Sequence, residues 1–395
     1  MIRPLFFLTV LTVTATTASA QWQLQDTHTT ADLRGIDNVG NGVAWASGSN
    51  GTILRTEDAG FVWQLCAKPP NGEHLDFRAI QAFDNNTAII MSSGKGDLSR
   101  LYKTTDGCQT WKLIFTNPDA PDGFFDQLLF IDKQHGLVFG DPAHGTHNPV
   151  EGGYFAIRIR VTNDAGETWA PVSDPETYQP GKNLMPVANE GLFAASNSSA
   201  AAKDGWLWIG LGGARVLKRR LFTPEQLKHL FEPFACGGQI DPISHRCGLP
   251  WVDFTNTTAP LASQGDSAGI FSLRFTTASL GIAVGGDYQK PDDTTGTAAF
   301  TTDGGKTWIA ATTPPHGFRS AVAYDTATKT WITVGPNGTD ISTDDGRNWH
   351  ALKPYPAFND TPDADQHWNA LSLPYVVGPH GRIATLRPGA IQHAK

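Results

Sequence analysis

The sequence contains few charged residues and, after its first twenty positions, no long apolar run. Asp, Glu, Lys and Arg make up 17% of the 395 residues, and the formal net charge is −8. An acidic balance of this kind argues against nucleic acid as a partner. A membrane-spanning helix needs about 20 consecutive apolar residues, and no segment beyond residue 20 supplies them. We therefore expect neither a nucleic-acid partner nor a transmembrane anchor.

Several motifs that would indicate catalysis or cofactor binding are also missing. The run Ser93–Gly96 lacks the spacing of a phosphate-binding loop. His144 and His147 are two imidazoles without a placed third ligand, which argues against a metal site. No order of Ser, His and Asp indicates nucleophilic catalysis. The sequence therefore predicts no cofactor and no bound metal.

Glycine and proline, by contrast, are plentiful, at 41 and 26 residues, which is typical of turn-rich β proteins. One short pattern, Ser/Thr-x-Asp-x-Gly-x-x-Trp, recurs along the chain. Recurrence of a motif at this spacing indicates an array of similar supersecondary units. The copies lie at 56–63, 104–111, 162–169, 301–308 and 342–349, and the second has Cys108 where the others have glycine.

Each copy lies between two strand-like runs, so we interpret it as a hairpin turn. The aspartate can accept hydrogen bonds from backbone N–H groups of its own turn, and the glycine supplies a positive φ. The tryptophan is expected to pack between neighbouring units. An aspartate used in this way in every copy is poorly placed to act as a catalytic acid or a calcium ligand.

The recurring turn resembles the Asp-box (BNR) repeat of β-propellers, which is found in sialidases and sortilin-like receptors. Four further runs make the chain similar to bacterial secreted propellers related to the photosystem II assembly and stability factor. This resemblance covers nearly all of the chain after residue 20 and implies an all-β propeller. It is weak evidence for function, because propellers host many unrelated activities. The four runs are 75–84, 99–106, 268–273 and 284–288.

Seven units of four strands can be counted, each running outward from the ring axis. The seventh lacks an outer strand, while Gln21–Gln25 precedes the first unit without a partner of its own. We expect this N-terminal strand, with Trp22 in place of the missing motif tryptophan, to complete the last blade, because ring closure removes exposed sheet edges. The prediction is one seven-bladed β-propeller over 21–395, with units starting at Leu33, Phe77, Phe125, Gly191, Ile270, Phe318 and Trp368.

The fourth unit has no copy of the motif. Instead, 223–231 predicts a helix with Thr223 as N-cap and Pro224 at its first position. Trp251 is then expected to resume the outer strand. The small helical insertion at about 220–250 is interpreted either as a partner-binding lid or as a tolerated surface insertion.

The first twenty residues predict a signal peptide, with Arg3, an apolar stretch from Leu5 to Val13 and the small-residue run 18–20. Cleavage is expected near Ala20/Gln21, which predicts an exported protein, periplasmic or secreted. We expect it to be a monomer.

Export also bears on the four cysteines, which in an oxidising compartment indicate two disulfides. Cys236 and Cys247 lie close together in one loop and are expected to pair. Cys66 and Cys108 then remain, and a bridge between adjacent units is geometrically sensible. The alternative is four free thiols in a reducing compartment.

Ligand sites in propellers usually lie over the axis, on the face opposite the motif turns. Several charged residues are expected to converge there, with Asp126 and Asn369 at equivalent positions of other blades. They predict either a funnel that recognises carboxylates or phosphates, or charges that neutralise one another around a wet channel. The candidate binding residues are Arg34, Arg78, Arg100, Arg215, Asp287 and Arg319.

The leading hypothesis is an exported, non-catalytic platform for a protein client or for a carbohydrate or other anionic ligand. The resemblance implies an assembly or stability role in which an arginine-rich surface meets the client. The alternative is a sialidase-like glycoside hydrolase with Tyr288 as nucleophile, Glu190 as its partner and Asp141 as acid/base. Against it, the Arg-Ile-Pro signature of sialidases is absent, since Leu33–Ile36 contains no proline.

Overall fold

The computed structural model describes residues 21–119, 121–144, 155–172, 190–223, 254–352 and 361–391. Within these ranges the chain forms seven four-stranded antiparallel sheets, the blades of a β-propeller. The helical content described is a single short 3-10 turn, Gly96–Leu98.

The strands are numbered in chain order. The first, β1, spans Trp22–Gln25. Blade one contains β2 (Leu33–Gly40), β3 (Val43–Gly48), β4 (Ile53–Thr56) and β5 (Gln64–Leu65). Blade two contains β6 (Phe77–Ala82), β7 (Ala88–Ser92), β8 (Arg100–Thr104) and β9 (Lys112–Thr116). Blade three contains β10 (Phe125–Phe130), β11 (Gly136–His144), β12 (Phe155–Thr162) and β13 (Ala170–Pro171).

Blade four contains β14 (Ala200–Lys203), β15 (Trp206–Gly210), β16 (Arg215–Arg220) and β17 (Thr255–Thr258). Blade five contains β18 (Ala268–Phe275), β19 (Gly281–Asp287), β20 (Ala298–Thr301) and β21 (Ile309–Ala310). Blade six contains β22 (Ala321–Asp325), β23 (Thr330–Gly335), β24 (Gly338–Ser342) and β25 (His350–Leu352). Blade seven contains β26 (Ala370–Ser372), β27 (Tyr375–Val377), β28 (Ile383–Leu386) and, as its outer strand, β1.

The outer strand of blade seven therefore comes from the other end of the chain. Trp22 lies opposite Leu386, and Gln25 lies opposite Ile383. The indole of Trp22 is 1% exposed and packs at 6.0 Å from the ring of Trp368. β1 thus takes the place that, in each of the other six blades, is filled by the blade's own fourth strand.

The apolar core lies between blades. The second strands are buried along most of their length, and every residue of β7 and β23 is buried, because neighbouring blades cover both faces of each sheet. The cluster between blades one and two illustrates the arrangement, since both blades contribute to it. Its members include Trp45, Ile53, Phe77, Tyr102 and Trp111.

The five motif turns share one hydrogen-bond pattern. In blade two, Thr104 Oγ1 donates to Asp106 Oδ1 at 2.8 Å, and the backbone N–H groups of Cys108 and Thr110 donate to Thr104 and Asp106 at 3.1 and 3.0 Å. The other four copies repeat these three bonds. The hydroxyl and N–H of Thr110 lower the pKa of Asp106 to about 2. Each aspartate is therefore engaged in holding its own turn.

Cys66 and Cys108 form a disulfide, as the sequence predicts. It connects the outer strand region of blade one to the motif turn of blade two, where Cys108 has a positive φ of 64° at the glycine position. The bridge predicted between Cys236 and Cys247 lies outside the described residues. So do the signal peptide at 1–20, Trp251, and the insertion from residue 224 onward.

The prediction for the inner strand of blade four was wrong. It was expected to begin at Gly191, but β14 begins at Ala200. Residues 191–199 belong to no sheet ladder, and the N–H of Leu192 and the side chains of Ser196 and Asn197 bond to other blades. The inner strands of blades six and seven also begin slightly later than expected, at Ala321 and Ala370.

Within the described ranges, no helix has both the length and the hydropathy required to traverse a bilayer.

Candidate functional site

One face of the ring carries the starts of the inner strands and the turns between second and third strands. The motif turns, which join third and fourth strands, lie on the other face because consecutive strands are antiparallel. We call the face with the starts of the inner strands the axial face. At its edge the inner strands of the first three blades begin with the same pattern, a buried apolar residue followed by a polar one. The pairs are Leu33-Arg34, Phe77-Arg78 and Phe125-Asp126.

Two of these polar residues share one carboxylate. Asp76 Oδ1 lies 3.2 Å from Arg34 Nε, and Asp76 Oδ2 lies 2.8 Å from Arg78 Nε. The three side chains retain 29%, 25% and 29% exposure for Arg34, Asp76 and Arg78. We call this group the Arg34–Asp76–Arg78 cluster. Two guanidinium groups against one carboxylate leave a net positive charge and several N–H donors facing solvent.

Asp126 continues the cluster toward the interior. It is 2% exposed, and its Oδ2 has no hydrogen-bond partner in the described part of the chain. Burial, together with the negative charge of Asp141, raises the pKa of Asp126 well above its ordinary value, while Arg78 opposes the shift. Burial also raises the pKa of Asp141 to about 6, although the N–H of Leu192 donates to it at 3.0 Å. The raised pKa of Asp126 favours its neutral form, so this carboxyl opposes the charge of the cluster less than an ionised aspartate would.

Glu190–Ser199 crosses the axis between the blades, and we call it the axial segment. The carbonyl of Ala194 accepts from Arg78 Nη1 of blade two at 3.4 Å, and Asn197 Oδ1 accepts from the N–H of Leu128 of blade three at 2.8 Å. Phe193 stacks on Phe271 of blade five, with ring centroids 3.8 Å apart. Contacts to four blades hold the segment in place, so the cluster lies beside a filled axis. A further bond runs from Ser196 Oγ to the carbonyl of Ser320 in blade six, at 2.7 Å.

Arg215 and Glu190 form a nearly buried pair beside the axial segment. Arg215 Nε donates to Glu190 Oε1 at 3.0 Å, and Arg215 Nη2 donates to Glu190 Oε2. The pairing is bidentate, which makes it strong and geometrically specific. Arg215 therefore helps to position Glu190, the residue at which the axial segment begins.

Arg319 is completely buried, with 0% of its side chain exposed. Its Nε donates to Asp340 Oδ2 at 2.9 Å, and its Nη1 donates to the Asn337 side chain and the Phe318 carbonyl. The nitrogen Nδ1 of His316 lies 2.9 Å from Nη2. The N–H donors of Arg319 are thus engaged inside the fold, away from any surface that a client could reach.

Arg100 and Asp287 also lie away from the cluster. Arg100 pairs with Asp97 at 3.3 Å and donates to the carbonyl of Asn71, beside the 3-10 turn. Asp287, at the end of β19, pairs with Lys290 at 3.2 Å. The structure therefore brings Arg34 and Arg78 together and places the other candidates in separate local networks. Asn369 of blade seven instead donates to the backbone carbonyl of Leu33 in blade one, at 2.8 Å.

The residues of the glycosidase alternative are not arranged as a nucleophile with its base. Tyr288 is 49% exposed and packs edge-on against Phe271 at 6.1 Å. Glu190 bonds to Arg215, and Asp141 bonds to the backbone of Leu192. Among the described residues, no carboxylate is hydrogen-bonded to the Tyr288 hydroxyl. Among the residues that the structure describes there is also no cluster of three or more His, Cys, Asp or Glu side chains that could hold a metal ion.

Sequence reasoning missed Asp76 and the axial segment. Asp76 immediately precedes the buried Phe77, so its place before an inner strand could have identified it as the partner of the two arginines. The axial segment had no such signal. Its run Ser196–Ser199 is also typical of an ordinary surface loop.

The fold and this polar face define a seven-bladed β-propeller with a filled axis and a positively charged cluster beside it. No family model matches the chain, and no curated protein matches it. Several solved propellers do match. A structure described as YCF48 bound to D1 peptide is 15% identical with a TM-score of 0.57, and the match covers 94% of this chain and 98% of that one.

YCF48 from Cyanidioschyzon merolae is 14% identical with a TM-score of 0.54, covering 93% of this chain and 99% of its own. The WD40 β-propeller domain of Doa1 is 8% identical with a TM-score of 0.54, covering 93% and 97%. At these identities the likeness establishes the propeller fold.

Proposed function

We propose that this propeller is a non-catalytic binding platform whose axial face holds a client protein by an anionic group. The observation that carries the proposal is the Arg34–Asp76–Arg78 cluster, which keeps an excess positive charge and free N–H donors at a partly exposed position. Guanidinium groups bind carboxylates through paired, planar hydrogen bonds. A carboxylate of the client would replace solvent at these donors.

The rigidity of the surroundings supports this proposal. Both arginines occupy the second position of an inner strand whose neighbours are buried. The axial segment contacts Arg78 from the inner side. A site held in this way needs little reorganisation on binding, which favours recognition over a mobile catalytic site.

The solved propeller described as YCF48 bound to D1 peptide is an example of this fold holding a peptide. We infer that this chain also binds a protein segment, in an assembly or stability role toward its client. Because the Cys66–Cys108 disulfide favours an oxidising compartment, we place that role outside the cytoplasm. We further infer that the pairing of β1 with β28 is what closes the ring.

Fluorescence anisotropy with a labelled peptide that carries adjacent carboxylates tests the proposal. Binding is expected to weaken about 10-fold or more in Arg34→Ala/Arg78→Ala, in keeping with the loss of charge-assisted hydrogen bonds. Arg347→Ala is the matched control, since it removes a half-exposed arginine from the opposite face. Equal binding by the double variant and the control would rule out the axial cluster as the site.

A further inference from the structure

We use the word seam for the place where the third strand of one blade lies beside the motif turn of the next blade. At three seams, a positively charged side chain has a favourable partner. At the seam of blades two and three, Lys103 Nζ lies 3.0 Å from the carbonyl of Ala165 and 2.7 Å from Glu167 Oε1. Lys112 adds a second contact to the same glutamate, at 2.8 Å. Here a cation faces a carboxylate.

The other two seams follow the same rule with different partners. At the seam of blades one and two, Arg55 lies against Gly107 of the next turn and donates to the carbonyl of Asn85 at 2.8 Å. It also pairs at 2.8 Å with Glu57 in the motif turn of its own blade. At the seam of blades five and six, the guanidinium of Arg347 lies 4.8 Å from the ring of Phe300. In each case the positive group has a favourable partner.

The seam of blades four and five breaks this rule. Lys218 of β16 corresponds to Lys103, because its Nζ would lie 3.0 Å from a methyl group placed on Gly304, the counterpart of Ala165. The next turn reads Asp303-Gly304-Gly305-Lys306, where blade three reads Asp164-Ala165-Gly166-Glu167. The position of the glutamate is therefore taken by Lys306, and a cation faces a cation.

A third cation joins this pair on the same surface. Arg220 and Lys218 lie on the same face of β16, and both contact Trp206, at 4.1 Å from its ring centroid. Lys306 and Arg220 are exposed, while Lys218 is half-buried. Burial and the charge of Lys306 lower the pKa of Lys218, which agrees with a site where like charges converge.

The neighbouring carboxylate of Asp303 offsets only part of the charge of the three cations. Asp303 attracts Lys218 at longer range, but its oxygens accept hydrogen bonds from Thr301 and from Thr307 within its own turn. In the ranges that the structure describes, no carboxylate lies within 4.0 Å of Lys218, Arg220 or Lys306. Three unpaired cations on a chain of net charge −8 form a local positive field that attracts an anion.

We propose that Lys218, Arg220 and Lys306 form a binding site for a doubly charged oxyanion of the sulfate or phosphate class. Such an ion offers several acceptor oxygens to donors that come from two blades. It would occupy the position that the Glu167 carboxylate fills at the seam of blades two and three. The site lies on the face of the motif turns, so it is independent of the proposed client-binding cluster.

Isothermal titration calorimetry with sodium sulfate and with sodium phosphate tests the proposal, in buffers matched with NaCl for ionic strength. We expect saturable binding by the natural chain and a loss of affinity of at least 10-fold in Lys306→Glu. The same variant should have a higher midpoint of thermal unfolding in low-salt buffer, because it restores a lysine–glutamate pair at this seam. Lys306 is exposed, so the variant is expected to fold.

The reciprocal change supplies a second test at the matched seam. Glu167→Lys should lower the unfolding midpoint in low salt and create a sulfate-dependent rise that the natural seam lacks. Equal stabilisation of the natural chain and Lys306→Glu by sulfate would be a general salt effect on folding, and it would overturn the proposal. A parallel titration with a sulfated oligosaccharide distinguishes a site for the free ion from one for an ester-linked group.

Discussion

Trp22 Nε1 donates a hydrogen bond of 2.9 Å to Thr339 Oγ1, 317 positions further along the chain. The bond connects the outer strand of blade seven to the third strand of blade six. The indole ring also packs in the cluster between those blades, beside Trp368 and Val376. One residue near the start of the described chain therefore joins the last two blades.

We expect Trp22→Ala to lower the free energy of unfolding by about 3–5 kcal/mol, the usual cost of removing a large buried aromatic side chain. Urea unfolding followed by tryptophan fluorescence and by far-UV circular dichroism measures the loss. Gln23→Ala is the control, because its side chain is exposed on the same strand. Closure of the ring by β1 would be refuted if both variants unfolded at the same urea concentration as the natural chain.

The Cys66–Cys108 disulfide closes a loop with a sequence separation of 42 residues. By the loop-entropy relation, such a crosslink contributes about 4 kcal/mol by restricting the unfolded chain. Cys66→Ala/Cys108→Ala should therefore unfold at a lower denaturant concentration than the oxidised protein. The reduced natural chain should behave like the double variant, and an unchanged midpoint in both would show that the bridge adds no stability.

The propeller was predictable because its signals are local and repeated. The five motif turns, from 56–63 to 342–349, each identify the end of a third strand and the start of a fourth. The disulfide followed from two cysteines that flank adjacent units. Trp22 could be assigned a place because the seventh unit lacks an outer strand while Gln21–Gln25 has no partner of its own, and Trp22 does lie opposite Leu386.

The polar site was less predictable because it depends on contacts between distant segments. Arg34 and Arg319 occupy similar positions in the sequence pattern, yet one is partly exposed and the other is completely buried. Burial of Arg319 depends on Asp340, which is 21 residues away. The axial segment likewise obtains its position from bonds to Arg78 and Ser320, and no local pattern encodes them.

Asp76 provides a test in which the expected effect is an increase in affinity. Because its carboxylate competes with a client for the donors of Arg34 and Arg78, Asp76→Asn should bind the labelled acidic peptide more tightly, by about threefold to tenfold. Arg78→Ala should bind it more weakly. The same anisotropy titration measures both, and parallel losses in the two variants would show that the carboxylate contributes to the site directly. The stability cost of Asp76→Asn should stay near 1 kcal/mol, since the pairs are partly exposed.

Acid should first stabilise and then destabilise this protein. Burial raises the pKa of Asp37 to about 7 and those of Asp141 and Asp365 to about 6. Between about pH 7 and pH 4 the folded chain then binds more protons than the unfolded one, so stability rises as the pH falls. The motif aspartates have the opposite sign. Their lowered pKa values, about 2 for Asp106 and Asp303, mean that stability is lost as the pH falls from about 4 toward 2.

Asp37 allows the first part of this profile to be assigned to one group. Its Oδ2 accepts hydrogen bonds from Gln81 Nε2 at 2.9 Å and from the N–H of Ala82 at 2.8 Å, and both can be kept by an amide oxygen. Asp37→Asn should therefore flatten the dependence of the thermal midpoint on pH between 5 and 8, chiefly by raising the midpoint at pH 8. Asp266→Asn, at an exposed position, is the control for the loss of one carboxylate. If the two variants showed equally steep profiles, the ionisation of Asp37 would not be the source of the slope.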